Sequence, residues 1–489
     1  MAFDRIKELI GRIKRMLKSN FIQGIAEVTK ETSAVSDAML EAIDLWKTLY
    51  EDNPPWLEDT NGASLGLPAV IASKYAQSVT LEAKITVAGS PMADFLSEQM
   101  DPVRVGLRKD TEYACAGGGI VFKPYIGSDG QSITTEIVHA DSFLPVSFDA
   151  NGKITSAYFV YRHWEGRKIY SRLEKHELVG TEYTVTNRCF CSMVDDSLGK
   201  ECDLTEVPVW ENIEPVVHMT DINAPLFAYF KIPFGNTVDK DSPLGVSVFA
   251  RAIKHLHEAD KQFDSLLWEY AGGELAVHAN EETFETHNGL PVVPKGKERL
   301  FWINKLDAQT QNGAPLLDTF SPALRDSNYI NGLNRIVTQI EDDCFLQRGS
   351  LTDQYPHNNE RTAKEVIYNK QVFYDAVTGI QTSLQSALND LIYAMYCLAT
   401  LYELAPDGDY DATFKWDDSI ISDTESERMR DQQEVQLGLM AKYEYRMKWF
   451  GEDETVAKQK IAEIEGSQQT EEDILGFNEP DTNAGKNGG

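Results

Sequence analysis

Three cysteines lie close together in the sequence and could act as metal ligands. Cys189 and Cys191 are separated by one residue, and Cys202 follows shortly after them. Thiolates bind zinc, but structural zinc sites usually contain a C-x-x-C pair, which this sequence lacks, and the nearest histidine, His176, shows no ligand spacing. We therefore expect ordinary strand cysteines here and no metal site.

A second group, His255-Leu256-His257-Glu258, has the composition of a metalloprotease helix. In such a helix two histidines four residues apart place both imidazoles on one face beside the glutamate. Here the spacing is two, so solvated histidines on a charged helix face are expected instead. The adjacent carboxylates of Asp417 and Asp418 could hold a metal, but a strand end followed by helix-capping acids is the commoner arrangement.

No motif assembles an acid, a base and a nucleophile. The Gly-x4-Gly-Lys-Ser/Thr loop that cradles nucleotide phosphates is absent from the sequence. Gly117-Gly118-Gly119 precedes a predicted strand rather than a helix, which argues against a dinucleotide site. The sequence therefore predicts a protein that is not an enzyme and needs no cofactor.

The longest helical patterns surround one polar loop. Asp241-Ser242-Pro243-Leu244-Gly245 predicts a helix start, because an N-cap side chain precedes a proline whose missing N–H is not needed there. This helix is expected to end at Gly272-Gly273. Its apolar stripe is formed by Val246, Phe249, Ile253, Leu256, Phe263, Leu267 and Tyr270.

After that helix the sequence predicts a small mixed insert with short strands around 275–279 and 299–304. A second helix is expected over 325–345, a polar loop rich in Gly, Asn, Pro and His over about 347–360, and a third helix over 361–404. Because the insert is too small to bury much core and the helices are long, these elements need partners to cover their faces.

Upstream, the sequence reads as helices followed by strands. Apolar spacing predicts helices over 26–50, 67–85 and 92–113, the last bent near Pro102. From Gly119 to Cys191 the pattern alternates and turn residues such as Asn151-Gly152 separate the runs, which is typical of an antiparallel meander. Its strands are expected at 120–122, 133–138, 154–161, 168–173 and 183–189, with a further strand at 225–231 and another at 413–416.

Composition and charge narrow the functional classes. The chain has 489 residues and a net charge of −31, so it cannot grip nucleic acid by its phosphates over its whole surface. Six cysteines without scaffold spacing fit a reducing compartment. The basic helix expected over 3–17 could lie on a membrane, although a docked or frayed surface helix is favoured. Asn389 and Asp390 interrupt the most apolar helix, so no membrane span is expected.

The order of these elements resembles the portal proteins of tailed bacteriophages, in particular those of long-tailed phages of Gram-positive bacteria. Pro233-Phe234-Gly235-Asn236 is followed by Ser242-Pro243-Leu244-Gly245 before a long helix. The mixed insert comes next. The loop then ends in Glu360-Arg361-Thr362-Ala363-Lys364-Glu365-Val366, where many relatives have Thr-Ala-Thr-Glu-Val, so Lys364 departs from the pattern. The strand Trp416-Asp417-Asp418-Ser419-Ile420 with its charged helix is also similar.

The resemblance implies an α+β ring subunit with an α/β wing, long stem helices, a small α/β clip and a helical crown. The parts would be the basic N-terminal helix 1–19, wing 20–240, first stem helix 241–273, clip 274–323, second stem helix 324–346, tunnel loop 347–360, a long kinked helix 361–404, crown 405–467 and a disordered tail 468–489. The ring, usually a dodecamer, would sit at the portal vertex of the capsid in the virion, after assembly in the host cytoplasm.

The implied partners are double-stranded DNA passing through the channel, the terminase large subunit, a head-completion or adaptor protein, and the major capsid and scaffolding proteins; no membrane is implied. The ATP would be hydrolysed by the terminase, in agreement with the missing phosphate loop.

The site residues implied by the resemblance are assigned from their positions in the tunnel loop, the stem and the clip. Tunnel-loop residues expected to meet DNA are Arg348, Gln354, His357, Asn358 and Asn359. Channel-facing stem residues are Lys254, His257, Glu258, Lys261 and Asp264. Clip residues for partner binding are Glu281, Glu282, Lys295, Lys297 and Arg299.

Three alternatives remain open at this point. The loop 347–360 could be an ordinary surface loop. The chain could be a minor capsid or head structural protein that forms no channel. It could also be a metal-dependent nucleic-acid-processing enzyme with a site around Asp417, Asp418 and the histidines.

Overall fold

The computed structural model describes residues 21–475, apart from positions 32, 58–61, 275, 281–285, 288–289, 292–300, 305–316, 321–322, 353–362 and 417–423. The basic helix expected over 3–17 lies outside the described residues. The chain divides into two compact units, Met1–Trp416 and Asp417–Gly489. The fold is α+β, as the sequence predicts.

The first unit begins with five helices where the sequence predicts three. Their bounds are α1 over 21–29, α2 Asp37–Tyr50, α3 Leu67–Thr80, α4 Pro91–Gln99 and α5 Asp101–Gly117. The predicted helix 26–50 is broken because Ala34 N donates to the carbonyl of Pro145 at 2.9 Å, so the chain is bonded to a strand at this point. Ser36 then caps α2 by accepting from Met39 N.

The predicted helix 67–85 is too long, because its last residues form a strand. Strand β1, Lys84–Ala88, pairs antiparallel with β16, Asp411–Lys415, with Ile85 opposite Phe414. Ile85 and Val87 are buried and their neighbours are exposed, which is the two-residue period of a strand. Residues 411–415, assigned from sequence to the crown, therefore belong to the first unit.

Two antiparallel sheets follow, where the sequence predicts one meander. The strands are β2 Gly119–Ile126, β3 Ile133–His139, β4 Phe143–Phe148, β5 Ile154–Glu165, β6 Lys168–Val179, β7 Glu182–Ser192, β8 Lys200–Cys202, β9 Val216–Met219 and β10 Ala228–Lys231. The first sheet has the order β10-β2-β3, and the second has the order β4-β5-β6-β7-β8 with β9 also on β7. The hairpin predicted at Asn151-Gly152 is confirmed: it joins β4 and β5, and Gly152 has a φ of +79°.

Charged side chains lie buried where the two sheets meet. Lys123 of β2 lies 2.7 Å from Glu174 of β6 and 3.0 Å from Glu136 of β3, and Arg172 lies 3.1 Å from Glu174. Lys123 is 4% exposed, and Arg172 and Glu174 are each 8% exposed. The Tyr161 hydroxyl accepts from Lys123 and donates to Glu136. Buried charges persist only when they are paired in this way, so this cluster fixes one sheet on the other.

His176 completes the charged cluster. Its Nε2 lies 2.7 Å from the Glu174 carboxylate and its Nδ1 lies 2.7 Å from the Tyr183 hydroxyl. Burial lowers the pKa of His176, so the neutral ring donates from Nε2 and accepts at Nδ1. Burial alone would raise the pKa of Glu174, but the hydrogen bond from His176 and the charges of Lys123 and Arg172 hold it well below its usual range.

The helix start expected at Asp241-Ser242-Pro243 is wrong. Residues 242–249 are buried and irregular, and helix α6 runs from Ile253 to Gly272 after a 3-10 turn. Val248 N donates to the carbonyl of Cys115 at 3.0 Å. A Cβ at Gly245 would lie 2.2 Å from the Gly118 carbonyl oxygen, so the chain passes directly against the end of α5. Tertiary hydrogen bonds and close packing thus replace the locally favoured helical turn.

The small insert and two long helices complete the first unit. The described insert strands are β11 Ala276–Asn280, β12 Thr286–His287, β13 Leu290–Pro291, β14 Phe301–Asn304 and β15 Leu317–Phe320. β11 pairs with β14 in parallel and with β15 antiparallel. Helix α7 spans Asp326–Asp343 and α8 spans Ala363–Leu401. Ile380, Leu384 and Leu388 of α8 are fully buried, so this helix forms much of the core.

The second unit contains three described helices. They are α9 Thr424–Gln436, α10 Lys442–Phe450 and α11 Glu454–Leu475. The tail expected to be disordered from residue 468 is corrected in part, since α11 continues to Leu475. Asp431 is 3% exposed and joins α9 to α10 by accepting from Lys448 and Trp449. Among the described residues, none of the helices combines the length and the apolar character needed to cross a bilayer.

Candidate functional site

Helices α6 and α7 form an antiparallel pair, which we call the stem hairpin. At one end, His255 Nδ1 lies 2.6 Å from the Asp343 carboxylate. At the other end, Arg325 donates to Glu269 at 2.7 and 3.1 Å. Because these contacts join the start of each helix to the end of the other, the helices run in opposite directions and hold the insert at their common tip.

One face of α6 remains exposed along its length. The five side chains predicted from sequence to line a channel, Lys254, His257, Glu258, Lys261 and Asp264, all lie on this exposed face. They follow helical spacing, so they form one stripe of mixed charge. Lys261 and Glu258 lie 3.8 Å apart, and the His257 ring packs on the Trp56 ring at a centroid distance of 4.8 Å.

Asp260 is a residue that the sequence did not single out. It is 6% exposed and accepts from Trp56 Nε1 and from Leu65 N, each at 2.9 Å. Burial raises the pKa of Asp260, and the two donated hydrogen bonds oppose that shift. Asp260 therefore ties the segment before α3 to the stem hairpin and places Trp56 beside His257.

The apolar stripe expected on this helix is only partly buried. Leu256 is 3% exposed, but Leu267 is 39% exposed and Tyr270 is 40% exposed. Trp268 is 74% exposed in the same helical turn. Leu324, which lies just before α7, is 43% exposed. The end of the stem hairpin near the insert thus carries a group of exposed apolar side chains, which we call the hairpin-tip patch.

A buried glutamate fixes the chain that leaves α7. Glu341 is 0% exposed, and its carboxylate accepts from Gly349 N at 2.9 Å, Leu351 N at 2.6 Å and Thr352 N at 3.2 Å. Three backbone donors converging on one carboxylate form an anchored turn at residues 349–352. The sequence held a weak signal, because Glu341-Asp342-Asp343 places three acids at a helix C-terminus, where the helix dipole disfavours them.

The residues between α7 and this turn are packed tightly. Phe345 has a φ of +55°, an uncommon value for a side chain of this size, and its ring contacts the Phe234 ring and the Arg251 guanidinium. The Tyr75 hydroxyl donates to the Cys344 carbonyl at 2.6 Å. The exit from the stem hairpin is therefore held by the core of the first unit.

Arg348 is the one predicted loop residue that the structure describes. It donates to both carboxylate oxygens of Asp342 at 2.7 Å and is about half exposed. The other four predicted loop residues, Gln354, His357, Asn358 and Asn359, lie outside the described residues. The same holds for the five predicted clip residues, Glu281, Glu282, Lys295, Lys297 and Arg299, and for Asp417 and Asp418.

Among the described residues, no group of three His, Cys, Asp or Glu side chains could hold a metal ion. The segment Gly62-Ala63-Ser64-Leu65-Gly66 matches the Gly-x-Ser-x-Gly pattern of serine hydrolases, but it lies in an irregular stretch before α3. The Ser64 hydroxyl accepts a hydrogen bond from Gly66 N at 3.0 Å, and this contact closes a local turn. This segment therefore lacks the strand-to-helix elbow that exposes a nucleophile.

No protein-family model matches the chain, and no curated protein matches it. Several solved structures contain similar chains, and three of them are of gene transfer agent particles. In the virion of a native gene transfer agent particle, the similar chain is 14% identical, with 87% of this chain and 98% of that chain covered and a TM-score of 0.41. In the neck of an empty gene transfer agent particle computed with C6 symmetry, the similar chain is 15% identical, with 80% of this chain and 91% of that chain covered and a TM-score of 0.36. In the neck of a native particle computed with C12 symmetry, the similar chain is 13% identical, with 83% of this chain and 92% of that chain covered and a TM-score of 0.34.

Proposed function

We propose that this chain is the subunit of a phage-type portal ring, through which double-stranded DNA passes during packaging and ejection. The observation that carries the proposal is the stem hairpin. Its exposed stripe of mixed charge begins beside His255, which contacts Asp343 at the end of α7, and the turn anchored by Glu341 follows that helix end. The small insert lies at the other end of the hairpin. The sequence resemblance assigns stem, tunnel loop and clip to these same segments.

In this proposal the exposed stripe of α6 faces the channel. A channel must let DNA move, so it should not hold the phosphates tightly. The stripe meets this condition, because Lys254, His257 and Lys261 alternate with Glu258 and Asp264 and the whole chain carries a net charge of −31. Arg348 is paired with Asp342, which leaves its guanidinium with less net attraction for DNA than a free arginine would have.

The insert would then dock the terminase large subunit and later a head-completion or adaptor protein, while the outer part of the subunit meets the capsid and scaffolding proteins. The described strands β11, β14 and β15 have only four or five residues each, and an insert of about fifty residues is too small to bury much core by itself. The hairpin-tip patch offers the neighbouring subunit an apolar contact beside them. No catalytic step is assigned to this chain.

Negative-stain microscopy of the purified chain, with and without the scaffolding protein, tests the proposal. We expect rings with a central channel. Tyr270→Asp should abolish most rings, because a tyrosine that acts as an interface hot spot contributes about 2 kcal/mol or more and Tyr270 lies on the apolar stripe of α6, away from the polar stripe. The matched control is Tyr125→Asp, a tyrosine of β2 that is 46% exposed and should leave ring formation unchanged. A head protein that forms no channel would yield no rings in either condition.

Deletion of residues 354–358 tests the loop assignment separately. This deletion leaves the backbone groups bonded to Glu341 in place. We expect rings to form normally and DNA packaging, measured as nuclease-protected DNA in filled heads, to fall at least tenfold. Normal packaging by the shortened chain, or a ring reconstruction with this segment on its outer rim, would contradict the channel assignment.

A further inference from the structure

The antiparallel pairing of β7 and β8 brings two of the three clustered cysteines face to face. Cys189 lies directly opposite Cys202 in the strand register, and their sulfur atoms are 3.2 Å apart. Opposed residues of an antiparallel pair have Cα atoms about 4.5–5.5 Å apart, which is within the range of about 4.4–6.8 Å found for disulfides. Both thiols are free, so the geometry for a bond is present without the bond itself.

The turn between the strands keeps this register. Gly199 has a φ of +80°, and a Cβ at this position would lie 2.1 Å from the Cys191 carbonyl oxygen. Only glycine can pass so close to the backbone, so residues 192–199 return the chain at one fixed register. Arg188 and Glu201, which flank the pair, add two hydrogen bonds of 2.8 and 2.9 Å across the same strands.

The two thiols differ in access. Cys189 is 1% exposed and packs with Tyr170, Leu204 and Trp210, whereas Cys202 is half-buried on β8, the edge strand of the second sheet. Burial raises the pKa of both thiols, so only a small fraction of thiolate is present at neutral pH and reaction is slow. Cys202 is thus the thiol that an external reagent reaches first.

We propose that Cys189 and Cys202 form a modification site, at which a small-molecule disulfide such as oxidised glutathione converts the two thiols into a cross-strand disulfide. The Cys202 thiolate attacks one sulfur of the small disulfide, forming a mixed disulfide and releasing one small thiol. Cys189 loses its proton to solvent and its sulfur displaces the second small thiol. One disulfide is reduced as the protein pair is oxidised, so electrons balance.

The product would link the β7–β8 edge of the second sheet across a short loop. Such a link restricts the unfolded chain and stabilises the fold. The pair is reduced under cytoplasmic conditions and is oxidised where small disulfides dominate. Neither the oxidation nor its test depends on whether the chain forms a ring.

The test is incubation of the full-length purified chain with oxidised glutathione at pH 8.5, where thiolate is more abundant. We expect titratable thiols in denaturant to fall from six to four and the intact mass to fall by two hydrogen atoms. Peptide mapping should show a 189–202 link, and thermal unfolding of the second sheet should shift upward by about 3–8 °C. A reducing agent should restore all six thiols, the original mass and the original melting temperature.

Three variants make the outcome specific. Cys189→Ser and Cys202→Ser should each prevent the loss of two thiols, and Cys189→Ser should instead retain glutathione on Cys202. Cys191→Ser is the matched control, because Cys191 lies opposite Lys200, and it should oxidise at the wild-type rate within about twofold. A link that involves Cys191, a stable mixed disulfide on the wild-type chain, or six thiols after prolonged incubation would each overturn the proposal.

Discussion

Replacing Glu174 by glutamine is expected to lower the free energy of unfolding by about 4 kcal/mol. Glutamine keeps the shape of the side chain but removes the charge, which leaves Lys123 and Arg172 buried without their common counter-ion. Lys123 retains Glu136 at 3.0 Å, but Arg172 has no other carboxylate among its described contacts. Urea unfolding followed by circular dichroism measures the change.

A second strand residue provides the control. Glu177 lies on the same strand three positions later and pairs with Lys175 at 2.9 Å, but its side chain is 39% exposed. Glu177→Gln should therefore cost less than about 1 kcal/mol. If the two variants lose similar amounts of stability, the buried cluster does not hold the sheets together.

The same cluster gives the protein a specific dependence on pH. The folded-state pKa of Glu174 is depressed, so its contribution to stability is present above the ordinary glutamate pKa of about 4.3 and is lost as the pH falls toward the folded-state pKa. The gap in melting temperature between wild type and Glu174→Gln should thus be constant from about pH 5 to 7 and should narrow progressively below pH 4.

The second large effect is expected at Glu341. Glu341→Gln should lower the free energy of unfolding by about 3 kcal/mol, because an amide NH2 would replace one acceptor oxygen and face a buried backbone donor. The Oε2 position receives Gly349 N, while Oε1 receives Leu351 N and Thr352 N. One amide orientation therefore leaves one donor unpaired and the other leaves two. Thermal unfolding gives the size of the loss.

Asp342→Asn is the matched control for this substitution. Asp342 is the next residue, and its partner Arg348 is 53% exposed, so the control should cost less than about 1 kcal/mol. If the chain forms rings as proposed, Glu341→Gln rings should also package less DNA, since residues 349–352 lead into the loop. Equal stability of the two variants would mean that the anchored turn contributes little.

The sequence by itself determined the elements whose signals are local. The Asn151-Gly152 hairpin and the helix at 326–343 lie where turn chemistry and apolar spacing place them. The five polar residues of α6 share an exposed face because helical spacing of 3.6 residues per turn puts them there. These signals come from neighbouring residues, and in these segments the distant contacts of the fold agree with them.

Only the tertiary structure decided the features that rest on distant partners. Arg172, Glu174 and His176 alternate along β6 as a solvent-facing row would, yet the first sheet covers them and turns them into a buried network. β1 becomes a strand because it pairs with residues more than three hundred positions later. The favoured helix start at residue 242 is lost because burial against α5 stabilises another path.

The candidate site also contains some residues that the sequence pattern identifies and others that only the fold reveals. Periodicity found the exposed stripe of α6, but it could not find Asp260 or Glu341, whose carboxylates are identified by backbone and indole donors brought to them by the fold. Nor could spacing in the sequence pair Cys189 with Cys202, because the register of two strands is set by the turn at Gly199 and the packing beneath it. Local sequence signals determine most of the helices and strands, and the free energy of packing these elements together determines which polar groups become partners.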